Sequence, residues 1–459
     1  MSTAKRDLTQ GPVARALWRV SAPMTIGIAG VLSVGLADAT FLARAGADDL
    51  AAIGFVYPAI VALTSLAIGM GAGTSAVVSQ ELGRTGGSEA QSARLALQAL
   101  IFAAILAVVA ATAFWLAAPF VFAAMGAEGA VLDKVLAYVP WWCLSFAPMV
   151  AGMGLNAVFR AGGESQIAAT VMISQSVINV ALDPIFIFGW GPVPALGTEG
   201  AGIATCIARV LGFGGLLVFA IASGRLSVDR ACLKGLGQSL RRIARIGGPA
   251  ALSNAINPLG LSFVTAAVAT LGEVAVAGFG AATRVQSLLF LPMLALSAGI
   301  GPVVGQAWGA DRPARAQAAT RLTFFLCAGY GAALATALML FADPLARLVA
   351  NDGDAAPYAA QYLRVVGLGF FGYGILVTGN AALNARDRAV HAMGLSAARI
   401  ALVYVPLAWL GVWGLGYGGV LAAALAANIA GAAGAVWLTW RTGLLHFQRP
   451  EPVALSQSN

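Results

Sequence analysis

Apolar residues in this chain fall into runs long enough to cross a bilayer, and that arrangement constrains the fold more than any other feature. A helix needs about 20 mostly apolar residues to span the hydrocarbon core. Read with that ruler, the sequence predicts twelve such helices, at about 17–44, 51–78, 93–118, 132–159, 166–190, 199–222, 246–270, 275–306, 315–341, 357–384, 390–414 and 417–441. Across 459 residues 59% are apolar and only 10% are charged, well under the roughly 25% charge of a soluble domain. A chain that cannot cover itself with polar groups is solvated by lipid.

Several classes of protein are excluded at once. The three lysines follow Ala4, Asp133 and Leu233, whereas the lysine of a nucleotide-binding P-loop follows glycine; no cofactor is expected, and no ATP is consumed on this chain. Cys143, Cys206, Cys232 and Cys327 stand singly, and His391 and His446 are far apart, so no zinc-type spacing exists. Met1–Gln10 is polar and the first apolar stretch outruns a signal peptide. The net charge of +8 is spread through loops, not gathered on one face as nucleic-acid binding requires.

Orientation follows from the distribution of positive charge. Most of the 27 Lys and Arg residues lie on the side of the termini, among them Lys5, Arg6, Arg84, Arg160, Arg386, Arg399 and Arg449. Arg44, Lys134 and Arg347 fall on the other side, and Arg209, Arg284 and Arg364 fall within spans. Both termini are therefore expected in the cytoplasm, and residues 224–245 read as a basic linker between a 1–223 lobe and a 246–442 lobe, with a 443–459 tail.

The halves resemble each other at an offset of 226 residues. Pro23 and Gln80 meet Pro249 and Gln306, Gly54 meets Gly280, Gly73 meets Gly299, and QELG (Gln80–Gly83) meets QAWG (Gln306–Gly309). Six spans return the chain to its starting side, so the repeat is parallel. The expectation is an all-α polytopic membrane protein with twelve transmembrane helices in two pseudo-symmetric six-helix lobes flanking a cleft, an architecture of transporters.

Two acids, Asp38 and Asp183, sit deep within predicted spans. Each costs about 2.5–3.5 kcal/mol on insertion scales, so an acid at that depth is functional by default. Both fall in the outer half of the first lobe, and at the repeat offset Asp38 meets Val264. Gln175, Asn179 and Asp183 follow at intervals of four and share one helical face, which needs a cavity or another helix beside it. Two carboxylates close together do not both ionise easily, which suits a site that takes up a proton; the same oxygens suit Na⁺, and Asp38 and Asp183 would then be its ligands. Structural roles for both acids, hydrogen bonds to a neighbouring helix or to the Pro184 break, are the plain alternative.

Pro23 followed by GLADATFLARAG (Gly35–Gly46), GMGAGTSAVVSQELG (Gly69–Gly83), LNAVFRAGG (Leu155–Gly163), NVALDPIFIFG (Asn179–Gly189) and VVGQAWGA (Val303–Ala310) resembles the multidrug and toxic compound extrusion (MATE) transporters, in their order and over nearly the whole chain. The resemblance implies a monomer in the bacterial inner membrane that exports amphipathic, often cationic organic compounds by alternating access in exchange for H⁺ or Na⁺. It implies coupling at Asp38, Asn179, Asp183, Thr205 and Asn156. The seventh and tenth helices lack the acids that other branches carry there, which confines coupling to the first lobe. Pro23, with Gly27, Gly30 and Gly35 before Asp38, marks the first helix as a candidate hinge.

Arg284 is a candidate to pair across the cleft with an acid of the first lobe, and Gln286, Met153 and Met293, with Met149 and Phe290, are candidates for an adaptable cleft wall or for plain core packing. The rival readings are a flippase for lipid-linked sugars, which needs a more cationic cavity, and an intramembrane enzyme. The acids lack the Y-D and G-x-G-D settings of membrane aspartyl proteases, so no enzyme is expected.

Overall fold

The computed structural model describes residues 7–227, 229–350 and 353–446, with backbone only at Glu89, Arg230 and Ala231. Lys5, Arg6, Arg449 and the tail beyond His446 lie outside the described residues. The first half forms α1 (Val13–Ala45), α2 (Ala47–Arg84), α3 (Glu89–Ala124), α4 (Gly129–Ala161), α5 (Ser165–Ile187) and α6 (Thr198–Ala222). The second half forms α7 (Leu236–Ala269), α8 (Glu273–Leu289), α9 (Leu291–Gly309), α10 (Pro313–Val349), α11 (Ala356–Gly367), α12 (Phe370–Ala385), α13 (Ala389–Ala397), α14 (Val405–Leu415) and α15 (Tyr417–Arg441). No strand occurs among the described residues. Among the described residues eleven helices are long and apolar enough to span a membrane, twelve when the bent pair α11–α12 is counted as one span.

Three of the long spans are interrupted, each for a local reason. The eighth breaks at Phe290 between α8 and α9, where Pro292 enters the first turn of α9 and removes a backbone donor. The tenth bends by 58° between α11 and α12, at Leu368 and Gly369; a Cβ at Gly369 would stand 2.8 Å from Leu425. The eleventh holds a π-helical segment, Ala398–Tyr404, just before Pro406. The expected linker is also shorter than the polar composition suggested. Helix α7 begins at Leu236, so Arg241, Arg242 and Arg245 ride on an extension of the seventh helix, and Gln98 Nε2 donates to the carbonyls of Cys232 and Lys234 at 2.7 and 3.1 Å to pin the remaining loop on α3.

Each lobe has its own apolar core. In the first, Val77, Phe122, Val139, Trp142, Phe146 and Leu155 are buried together; in the second, Phe279, Met293, Tyr362, Phe370, Ile400 and Leu421 are. A smaller cluster, with Leu8, Leu17 and Val20 against Ile300, Val303 and Val304, joins the lobes.

The junction obeys the repeat. Gln80 Nε2 donates to the carbonyl of Ala385, the last residue of α12, at 2.7 Å, and its counterpart Gln306 Nε2 donates to the carbonyl of Ala161, the last residue of α4, at 2.6 Å. Each glutamine thus crosses to the other lobe and satisfies a carbonyl that the helix end leaves without an intrahelical donor. Glycines permit the approach: a Cβ at Gly83 would lie 2.1 Å from the Gln306 carbonyl, and one at Gly309 would lie 2.0 Å from that of Gln80. Gly69 and Gly73 on α2 meet the α7 backbone as closely. All of these contacts lie in the half of the helices nearer the termini.

Candidate functional site

The two intramembrane acids come together in the opposite half. Helix α1 packs along α5, with Gly27 against Ala169 and Met172 and Gly30 against Ser176, where a Cβ would meet its neighbour at 3.2 Å. That close seam carries Asp38 alongside Asp183, whose carboxyl groups lie within hydrogen-bonding reach of each other. Asp183 is fully buried and Asn179 is 3% exposed, while Asp38 is half-buried. Asn179 Nδ2 donates to Asp183 Oδ1 at 3.4 Å and to Thr205 Oγ1 of α6 at 3.3 Å. Ionised carboxylates only accept hydrogen bonds, so Asp38 and Asp183 bond each other only when they share a proton.

Three buried oxygens at this point, Asp38 Oδ1, Asp183 Oδ2 and Asn179 Oδ1, have no hydrogen-bond donor among the described residues. They belong to two packed helices, α1 and α5, and oxygens of this kind suit a proton or a small hard cation. No group of three or more His, Cys, Asp or Glu side chains among the described residues has the arrangement of a metal site.

Helix α6 is positioned from its outer end. Asp49 of α2 accepts from the Thr198 backbone N–H at 2.9 Å and from its hydroxyl at 2.7 Å, and Lys134 Nζ of α4 donates to the same carboxyl at 2.8 Å. This caps the first turn of α6 with a side chain from another helix and sets Thr205, two turns further in, opposite Asn179. Arg209, one turn beyond Thr205, donates to Ser145 Oγ at 2.8 Å, stands 5.9 Å from the Trp142 ring centroid, and places positive charge near Asp38. Tyr138, buried on α4, borders the same group.

The other candidates are placed differently. Gln175 shares the face of Asn179 but packs on Gly212 of α6, where a Cβ would fall 2.1 Å from its Cγ. Asn156 is buried five residues from the inner end of α4, about 30 Å along the helix from the depth of the acids at 1.5 Å per residue, so it does not join them. Met153 is half-buried, its carbonyl near Gly71 of α2. Met293 is wholly buried in the second core beside Gly374 and forms no cleft wall. Phe290 stacks on Tyr373 with centroids 4.1 Å apart. Gln286 accepts from the Tyr362 hydroxyl at 2.7 Å. Arg284 is exposed and forms no ion pair among the described residues, so it does not meet an acid of the first lobe. Helix α1 is continuous through Pro23.

Arg399 escaped the sequence reading. The charge pattern puts it with the residues on the side of the termini, but it lies in the π-helical segment, 9% exposed. Its Nη1 and Nη2 donate to Asn257 at 3.0 Å and Asn428 at 2.8 Å. The signal that could have found it is its position eleven residues beyond Arg388, too far into an apolar run for a loop residue.

Twelve spans in two lobes joined at one end, with a polar site buried at the other, are the plan of a membrane transport protein. The MatE family model matches the chain twice, over residues 23–185 and 249–410, and the chain belongs to that family of transporters. It is 32% identical to the FAD transporter of Shewanella oneidensis over 93% of this chain and 94% of that one. It is 26% identical to a probable multidrug resistance protein, NorM, of Deinococcus radiodurans over 89% and 88% of the two chains. The crystal structure of the Vibrio cholerae MATE transporter VcmN in the bent form matches with a TM-score of 0.86 at 28% identity, covering 96% and 98%.

Proposed function

We propose that this chain is a secondary active antiporter of the bacterial inner membrane, with both termini cytoplasmic, that exports amphipathic organic compounds, cationic ones among them, in exchange for H⁺. The observation that carries the reading is the buried contact of Asp38 with Asp183 beside Asn179 and Thr205. A proton entering from outside is shared by the two carboxyl groups, lowers their charge from −2 to −1 and closes the pair; losing that proton makes two carboxylates repel in a dry site. Asp38 sits on α1 and Asp183 on α5, so the protonation state changes how two helices that line the same lobe attract each other. Arg209 stabilises the deprotonated form from α6. The same three unpaired oxygens would serve Na⁺ if that ion, and not H⁺, drives exchange. No cofactor and no ATP enter this cycle.

The test is efflux of a fluorescent organic cation from proteoliposomes under a pH gradient or a Na⁺ gradient imposed separately. A pH gradient that drives the wild type and fails to drive Asp38→Asn or Asp183→Asn supports H⁺ coupling. Exchange driven by Na⁺ alone turns the pair into cation ligands. Undiminished transport by both variants overturns the coupling role.

A second substrate reading has its own support. The relative in Shewanella oneidensis is named a FAD transporter, which favours a flavin nucleotide, an aromatic anion, among the exported compounds.

A further inference from the structure

At the end of the molecule where the lobes join, three helices enclose a cationic pocket. Helix α2 reaches it with its last turn, through Glu81 and Arg84. Helix α3 reaches it with its first two turns, through Gln91 and Arg94, and α7 with its first two turns, which carry Ser239 and Arg242. The cavity measures about 220 Å³, room for a phosphate group and several waters, each of which occupies about 30 Å³ in the liquid.

Three guanidinium groups line this pocket against one described carboxylate, that of Glu81. The carboxylate is already engaged. Arg84 Nε donates to its Oε2 at 3.3 Å, Arg84 Nη2 pairs with its Oε1, and Gln91 Nε2 donates to Oε1 at 3.1 Å. The other two arginines form no ion pair among the described residues. Arg242 Nη2 reaches the neutral amide oxygen of Gln80 at 3.3 Å, which leaves its charge uncompensated. Arg94 Nε is buried with no acceptor among the described residues, and a Cβ on Gly235, just before α7, would stand 3.5 Å from Arg94 Nη2. Two uncompensated like charges on one cavity repel each other and attract an anion. The first turns of α3 and α7 add to the same field, since a helix N-terminus carries partial positive charge.

We propose that this pocket binds a phosphate group, held by Arg94 and Arg242, which ties the start of α7 to the first lobe. Guanidinium and phosphate form charge-assisted, bidentate hydrogen bonds, and a bound phosphate contacts both halves of the chain at once. Two sources carry that group, the headgroup of an anionic phospholipid and a soluble phosphate; basic pockets between helices at the membrane surface suit the first. The pocket lies in the half of the molecule opposite to Asp38 and Asp183, so it takes no part in ion coupling.

The test titrates the full chain in detergent with phosphatidylglycerol and phosphatidylcholine and counts bound lipids by native mass spectrometry. Phosphatidylglycerol is expected to bind at least tenfold more tightly, the worth of one charge-assisted hydrogen-bonded pair. The double variant Arg94→Gln, Arg242→Gln is expected to lose that preference, and Arg94→Lys, Arg242→Lys to keep part of it. The control Arg388→Gln, Arg441→Gln removes the same charge from exposed positions on the same side and is expected to keep all of it. In nanodiscs of phosphatidylcholine, inorganic phosphate is compared with chloride at equal ionic strength. A rise in Tm lost in the pocket variant, without a lipid preference, assigns the site to a soluble phosphate; a lipid preference without that rise assigns it to a headgroup, and both together assign it to a phosphate group from either source. Neither effect in the wild type, or equal losses in the pocket and control variants, overturns the proposal. Neither readout needs a gradient, so failure of ion coupling leaves this result standing.

Discussion

Asp183 has no exposure and a hydrogen bond only from a neutral amide and a second carboxyl, so its charge has little to stabilise it in place. Replacing either acid by asparagine keeps the shape and removes the titration. Transport driven by a pH gradient is expected to fall at least tenfold in Asp38→Asn and in Asp183→Asn, with substrate binding retained, as checked by efflux and binding measured on the same preparation. Asn179→Ala removes the one side chain that touches both Asp183 and Thr205; a several-fold loss of coupled efflux with the helices intact by circular dichroism is the expected result. Asp49→Ala strips the first turn of α6 of its cap and costs about 1–2 kcal/mol, visible as a lowered Tm.

The residues at this scale divide by how unusual they are. Asp38, Asn179 and Asp183 were legible because polar groups interrupt apolar helices, and Thr205 through the family resemblance. Tyr138 and Ser145 were not, since tyrosine and serine occur throughout such helices. Asn156 is equally polar and equally buried, yet its depth separates it from the acids; a helix position in sequence carries no label for which neighbour it meets.

At the scale of single helices, α1 holds Pro23 without breaking, although proline deletes a backbone hydrogen bond. We propose that the helix bends at Pro23, just before the seam where Gly27 and Gly30 meet α5. Pro23→Ala is expected to slow coupled efflux several-fold while leaving substrate affinity in place. Full-rate transport by this variant removes the hinge. The breaks in the eighth, tenth and eleventh spans were hidden for a different reason. Each span is apolar enough overall for length and hydropathy to read it as one helix, whereas Pro292, Gly369 and Pro406 act through backbone hydrogen bonds and close contacts that hydropathy does not register. Some helix ends, such as those of α2 at Arg84 and α3 at Ala124, run one or two turns past the apolar runs, because a helix protruding into water keeps its backbone bonds.

The whole molecule is held by two symmetric crossings. Gln80 and Gln306 each satisfy the helix end of the opposite lobe, and Leu8 N–H adds a bond to Gln306 Oε1 at 2.8 Å. Both must break if the lobes are to part at this end. The double variant Gln80→Ala, Gln306→Ala is expected to favour the form open on this side, with spin labels at Thr85 and Arg388 moving apart; an unchanged distance distribution means the apolar cluster alone sets the balance. Gly83→Val would push a side chain into the Gln306 carbonyl and is expected to prevent the lobes from closing.

Hydropathy, charge bias and the 226-residue repeat determined the membrane class, the number of spans, the two-lobe plan and the depth of the acids, because lipid and water impose their costs on each residue separately along the chain. Which groups meet was decided only in three dimensions. The glycine seam of α1 and α5 unites the two acids, the Asp49 cap turns Thr205 toward Asn179, the repeat glutamines lock opposite lobes, and the π-helical turn buries Arg399. These are contacts between residues tens to hundreds of positions apart, and close packing, which no local pattern encodes, selects them.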